Sequence, residues 1–145
     1  MRITRTITVA NTPPSVVYAY LKDFTSSEEW DPGTLETTRV AGDGGVGTRY
    51  RNRSVFRGRE TELTYVTVDL VPDRLVVMRG ENATVIARDT MSISPGPDGA
   101  GTVLVYEADF RFKGLAKLAT PFLRGPLRRL GDDAEEALAR VLPQL

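Results

Sequence analysis

Cysteine and histidine are both absent from the 145 residues. Their absence excludes disulfides, thiolate or imidazole nucleophiles, Cys/His zinc sites, histidine general bases and a Ser-His-Asp arrangement within the chain. Proton transfer is left to carboxylate, Tyr, Lys or an ordered water, and Lys is scarce: Lys22, Lys113 and Lys117 stand against sixteen Arg. An excess of charge is also missing. Nineteen Lys plus Arg balance nineteen Asp plus Glu, which disfavours nucleic acid as a partner. Long apolar runs are lacking too. Nothing approaches the ~18–20 residues of a membrane span, and Met1 to Tyr20 holds no run of secretory length. The expectation is a cytoplasmic protein without stable membrane insertion, folded as one domain over 1–145 that buries roughly two thirds of its unfolded surface.

What is present is mostly period-two sequence. Ile3-Thr4-Arg5-Thr6-Ile7-Thr8-Val9 alternates as a half-buried strand does. Asn11-Thr12-Pro13-Pro14 then caps a helix from Pro13 to Lys22, and Ser26 to Trp30 reads as a one-turn helix with Ser as cap, ended by Asp31-Pro32-Gly33. Six further alternating segments follow: Leu35 to Ala41, Thr48 to Phe56, Glu60 to Leu70, Arg74 to Gly80, Thr84 to Ser94 and Thr102 to Phe112. The turns between them are short enough for hairpins, so an antiparallel meander is expected. After Lys113-Gly114 the period turns helical, with Leu115, Leu118, Phe122, Leu127, Leu130, Ala134, Leu138 and Val141 on one face. Thr120-Pro121 fits a cap followed by Pro, and Pro126 predicts a kink. The class is α+β: two short helices between strands one and two, seven antiparallel strands, and a long C-terminal helix over one face of the sheet.

That order of elements carries three further marks. They are Phe24-Thr25-Ser26-Ser27-Glu28-Glu29-Trp30-Asp31-Pro32-Gly33, then Gly45-Val46-Gly47-Thr48-Arg49-Tyr50, then Gly99-Ala100-Gly101-Thr102 opening the last strand. Together they resemble the SRPBCC superfamily, which includes START lipid-transfer domains and polyketide cyclase/dehydrase proteins. The resemblance spans Met1 to Leu145. It implies a helix-grip fold, a curved seven-stranded antiparallel sheet wrapped around the long helix, with a deep cavity for an apolar small molecule between them. It transfers no catalytic residue, because this scaffold serves carriers, sensors and cyclases alike. Trp30 is expected to close one end of the core, with Asp31 satisfying nearby backbone donors.

Strand parity indicates which side chains face the helix. Leu104, Tyr106, Ala108, Phe110 and Phe112 form the inner set of the last strand. Before it, Ala87, Asp89, Met91 and Ile93 do the same, which places the carboxylate of Asp89 among inward residues. A buried carboxylate needs a partner or a raised pKa; Arg79 is its partner if it shares Val77's face, while a bulge or the open end of the sheet would instead let Asp89 reach solvent or a backbone donor. Tyr50, Asn52, Ser54 and Phe56 face in, with Asn52 and Ser54 as a polar stripe, and Val66 and Val68 are assigned inward on strand four. Leu118, Phe122, Leu127 and Leu130 form the roof.

Three functions are compatible with this pattern. The first is a carrier for a lipid-like, polyketide or aromatic molecule held by Tyr50, Asn52, Ser54, Val66, Val68, Arg79, Met91, Phe110 and the roof. The second is a cyclase or dehydratase with Asp89 as base and Tyr106, Asn52 or Arg79 as oxyanion donors. The third is a protein-interaction module with a vestigial cavity. No metal or other cofactor is expected, and a homodimer is compatible with the sequence.

Overall fold

The computed structural model describes residues 1–145. Strand β1 (Arg2–Val9) is followed by α1 (Pro14–Lys22), a 3-10 turn (Phe24–Ser26) and α2 (Ser27–Trp30). Strands β2 (Thr34–Ala41), β3 (Arg49–Phe56), β4 (Arg59–Val71), β5 (Leu75–Glu81), β6 (Val85–Pro95) and β7 (Thr102–Phe112) come next. A 3-10 segment (Gly114–Ala119) leads into α3 (Thr120–Val141). The seven strands make one antiparallel sheet in the order β1-β7-β6-β5-β4-β3-β2. The short turns therefore produce the meander that the alternating segments predict, with β1 returning to pair with β7. Arg57 and Gly58, with φ 54° and 78°, make the two-residue β3–β4 hairpin, which requires positive φ at both positions.

Two capping expectations are corrected. Ser26 lies in the helical region and makes no side-chain cap to α2; its Oγ instead accepts from the indole of Trp30 at 3.2 Å, and Asp23 caps the preceding turn through Thr25 N. Ala119, not Thr120, precedes α3, and Pro121 sits in the helix's first turn, where a missing N–H costs nothing. α3 remains one helix across Pro126.

The core lies under the concave face of the sheet. Phe24 centres it, 4.5 Å from the ring of Tyr65, 5.9 Å from Tyr50 and 6.3 Å from Trp30. Trp30 in turn meets Tyr106 edge-on at 5.6 Å. Both Phe24 and Trp30 are almost wholly buried, so the short helices are pinned to the sheet by aromatic side chains whose burial contributes about 1.5–3 kcal/mol each. α3 crosses β1 closely because Gly131 has no Cβ: one built there would lie 2.6 Å from Ile3 Cγ2. Next to that crossing, Arg5 reaches Asp132 at 2.8 Å.

Candidate functional site

A cavity of about 640 Å³ lies between β3, β4, β6 and β7 on one side and the 3-10 segment and first half of α3 on the other. That volume is within the ~300–1,000 Å³ typical of small-molecule sites. Fourteen of its 24 lining residues are hydrophobic, so the walls favour an apolar guest. Phe110 and Phe112 of β7, Val85 and Ala87 of β6 and Leu63 of β4 supply the sheet side, and Ala116, Ala119, Leu123, Leu127 and Leu130 supply the roof.

The roof residues recur at spacings of three and four, one stripe of a helix. Of the roof expected from sequence, Leu127 and Leu130 line the cavity, whereas Leu118 and Phe122 are 75% and 77% exposed and point away from it. The segment is apolar on two adjacent faces, and the Ala116-Ala119-Leu123 face is the one turned inward. Helical spacing alone could have nominated that stripe, because it continues into Leu127 and Leu130 without a break.

Val66 and Val68 are likewise corrected. Val66 stands opposite Arg49 and Arg79 across the ladder, on the outer face. The inward residues of β4 are Leu63, Tyr65 and Thr67. A register shift between Thr67 and Asp69 then inserts an extra residue at Val68, which resets the alternation and brings Leu70 onto the core. Tyr65 fits because it faces Gly80: a Cβ there would sit 2.6 Å from the Tyr65 ring.

Arg79 is not the partner of Asp89. Met78 is the residue opposite Asp89, so Val77 and Arg79 project from the other face, where Arg79 pairs with Glu81 at 3.0 Å. Tyr50 and Met91 are fully buried but belong to the aromatic and aliphatic core, outside the cavity wall. Asn52 and Ser54 do line the cavity. Both Asn52 amide hydrogens are committed, however, to Thr34 Oγ1 at 3.2 Å and Thr37 Oγ1 at 2.9 Å, so the amide has no N–H left for a ligand.

The inner end of the cavity is polar. Asp89 is 6% exposed, and the Tyr106 hydroxyl donates to its Oδ1 at 3.3 Å. Asp31, expected to satisfy backbone donors, instead accepts from the Thr34 hydroxyl at 2.9 Å and keeps part of its surface open to the cavity. The residue before it, Trp30, packs on Tyr106, a tertiary contact with no local signature. Burial pushes Asp31 up to about 6. Burial, and then the charge of Asp31, push Asp89 up to about 8, against the opposing hydrogen bond from Tyr106. Tyr65 and Tyr106 are held well above the usual phenol range by burial and the neighbouring carboxylates. The cavity end therefore presents two carboxyl groups that hold their protons more tightly than free carboxyls, Asp89 the more so, beside two neutral phenols. A carboxyl held in this range can give up or take a proton near neutral pH. No three His, Cys, Asp or Glu side chains converge as a metal-binding group, and no helix is long and apolar enough to cross a membrane.

The architecture recurs in solved structures of low identity. A START superfamily protein from Mycobacterium smegmatis aligns with TM-score 0.80 and 14% identity, covering 99% of this chain and 97% of its own. The Zhui aromatase/cyclase from Streptomyces aligns with TM-score 0.77 and 19% identity, covering 99% and 92%. A Thermus thermophilus protein gives 0.76 and 17%, covering 98% and 95%. These likenesses establish the helix-grip fold and not the chemistry. No curated protein matches the sequence. The model of the family described as polyketide cyclase/dehydrase and lipid transport matches residues 1–143, and with the fold in agreement the chain belongs to that family, within the SRPBCC superfamily.

Proposed function

We propose that the protein binds a hydrophobic small molecule of lipid, polyketide or aromatic type in the cavity beneath α3. The observation that carries this reading is the contrast between apolar walls and the Asp31, Asp89 and Tyr106 end. Such a site takes an uncharged, mostly hydrocarbon or aromatic body and orients it by one oxygen-bearing end. A carbonyl oxygen would accept from the protonated Asp89 carboxyl, and a hydroxyl would donate to Asp31. Native mass spectrometry after incubation with a lipid and polyketide extract tests it. A retained small molecule is expected from wild type, and retention of nothing from any such extract would overturn the reading.

A second reading, a cyclase or dehydratase, is favoured by one specific feature: two carboxyl groups, both pushed up by burial and Asp89 further than Asp31, face the same cavity. Asp31 would take a proton from a carbon next to a carbonyl while the Asp89 carboxyl delivers its proton to the carbonyl oxygen, giving the enol. Asp89 thus stays a proposed reacting group, now as the acid, with Asp31 added as the base and Tyr106 positioning Asp89 through its hydrogen bond. The aromatase/cyclase among the structural neighbours agrees with this reading. Turnover of a retained ligand that is lost in both Asp31→Asn and Asp89→Asn would support it, and undiminished turnover in either variant would overturn it.

A further inference from the structure

The segment that roofs the cavity also carries an apolar face turned to solvent. Leu115, Leu118 and Phe122 are 85%, 75% and 77% exposed. Their spacing of three and then four puts them on one side of the 3-10 segment and first turn of α3. Ala116, Ala119 and Leu123 occupy the adjacent side and line the cavity. A helix resting on a core ordinarily shows a polar outer face; here the outer face over the cavity mouth is leucine and phenylalanine.

The charge around that face is one-sided. From Lys113 to Gly131 the chain holds Lys113, Lys117, Arg124, Arg128 and Arg129 and no Asp or Glu, although the chain as a whole is neutral. Lys113 is engaged with Glu81. On the opposite rim, Arg57 and Arg59 of the β3–β4 hairpin line the cavity, are exposed, and form no ion pair. Exposed apolar side chains ringed by basic ones are complementary to a surface with an apolar interior and anionic headgroups.

We propose that the Leu115, Leu118 and Phe122 face docks the cavity mouth on an anionic lipid bilayer. The bilayer is contacted peripherally. The three side chains enter the headgroup and acyl boundary, while Lys117, Arg124, Arg57 and Arg59 meet the headgroups. Because the same segment forms the roof on its other side, docking would present the cavity entrance to the membrane, where an apolar guest could be exchanged without crossing water. This goes beyond the ligand reading. Vesicle binding is measured on protein without a guest, and guest retention is measured without a membrane, so either can fail alone.

The test is co-sedimentation with vesicles of phosphatidylcholine alone or mixed with phosphatidylglycerol. Expected is binding to the mixed vesicles, weakened at least about tenfold on neutral ones and at about 0.5 M NaCl. Leu118→Ser with Phe122→Ser, and separately Lys117→Glu with Arg124→Glu, should each cost at least about tenfold, with unchanged far-ultraviolet circular dichroism and melting because all four side chains are exposed. Absence of binding to the mixed vesicles overturns the proposal, as does binding that either double variant leaves intact. Self-association of the protein that the Leu118/Phe122 variant abolishes, without vesicle binding, overturns it in favour of a second copy of this chain as the occupant.

Discussion

The Tyr106 hydroxyl donates to Oδ1 of Asp89 across adjacent strands, at 3.3 Å, with both residues buried. Met91 is the residue opposite Tyr106, so the contact runs diagonally from β7 to the next inward position of β6. It places a carboxyl group under two opposed influences. Burial and the charge of Asp31 disfavour ionisation, and the phenol favours it.

Stability should therefore fall as pH rises. A carboxyl whose pKa in the fold, about 8 for Asp89, exceeds its ordinary value of 3.8 holds its proton more tightly in the folded state. Its contribution is full below about pH 4 and is lost as pH climbs to about 8, by at most about 1.4 kcal/mol per pH unit. Asp31 acts with the same sign up to about 6. In urea unfolding measured across this range, Asp89→Asn should flatten the slope between pH 6 and 8 and be the more stable form at the upper end. A parallel curve for the variant would show that Asp89 ionises normally in the fold.

Tyr106→Phe should move Asp89 further up. The phenol is the one group that lowers its pKa, and its removal leaves only burial and the Asp31 charge. Carbon-detected NMR titration of the Asp89 carboxyl would report the midpoint. A downward shift contradicts the assigned balance.

Gly80→Ala should be costly out of proportion to one methyl group. The added Cβ meets three ring atoms of Tyr65 at 2.6–2.8 Å, and that ring is itself held by Phe24 at 4.5 Å. Displacement of a packed aromatic predicts a loss of about 1–3 kcal/mol in chemical denaturation. Tyr65→Leu in the Gly80→Ala background should recover part of it.

Leu123→Trp should fill the cavity from the roof. Leu123 is half-buried and lines the void, so the larger ring has space to enter without displacing core residues. Guest retention by native mass spectrometry should fall at least about tenfold while the melting temperature holds. Equal retention would place the guest elsewhere.

Legibility in the sequence followed the range of the forces involved. Alternation along Thr102–Phe112 and Val85–Pro95 placed Tyr106 and Asp89 inward because one residue per 3.3 Å leaves little freedom in a paired strand. The same rule misassigned Val66 and Val68, since a single extra residue at Val68 inverts parity and nothing in a run of Thr, Val and Asp marks where it falls. On α3 the apolar positions were evident, but two neighbouring faces were apolar, and only the unbroken three-and-four spacing into Leu127 and Leu130 favours Leu123 over Phe122. Asp31 lines the cavity beside a contact between distant segments, Trp30 on Tyr106, and short-range pattern carries no trace of that. Arg79 was conditional on Val77, and Val77 turned out to face outward.

The pairing of β1 with β7 bears on how the chain acquires its form. β1 has no other partner, and the ammonium of Met1 donates to the carbonyl of Phe110, 109 residues along the chain. Closing so long a loop costs entropy before its contacts return any, whereas the hairpins from β2 to β7 close over a few residues each. The meander is therefore cheap to close and the pairing of β1 costly, and the crossing at Gly131 that seats α3 depends on β1 being in place. Without β1 and the helix it seats, the concave face would be an open trough lined by Leu63, Ala87 and Phe110. A chain without that pairing would expose to its neighbours the apolar surface that otherwise lines the cavity.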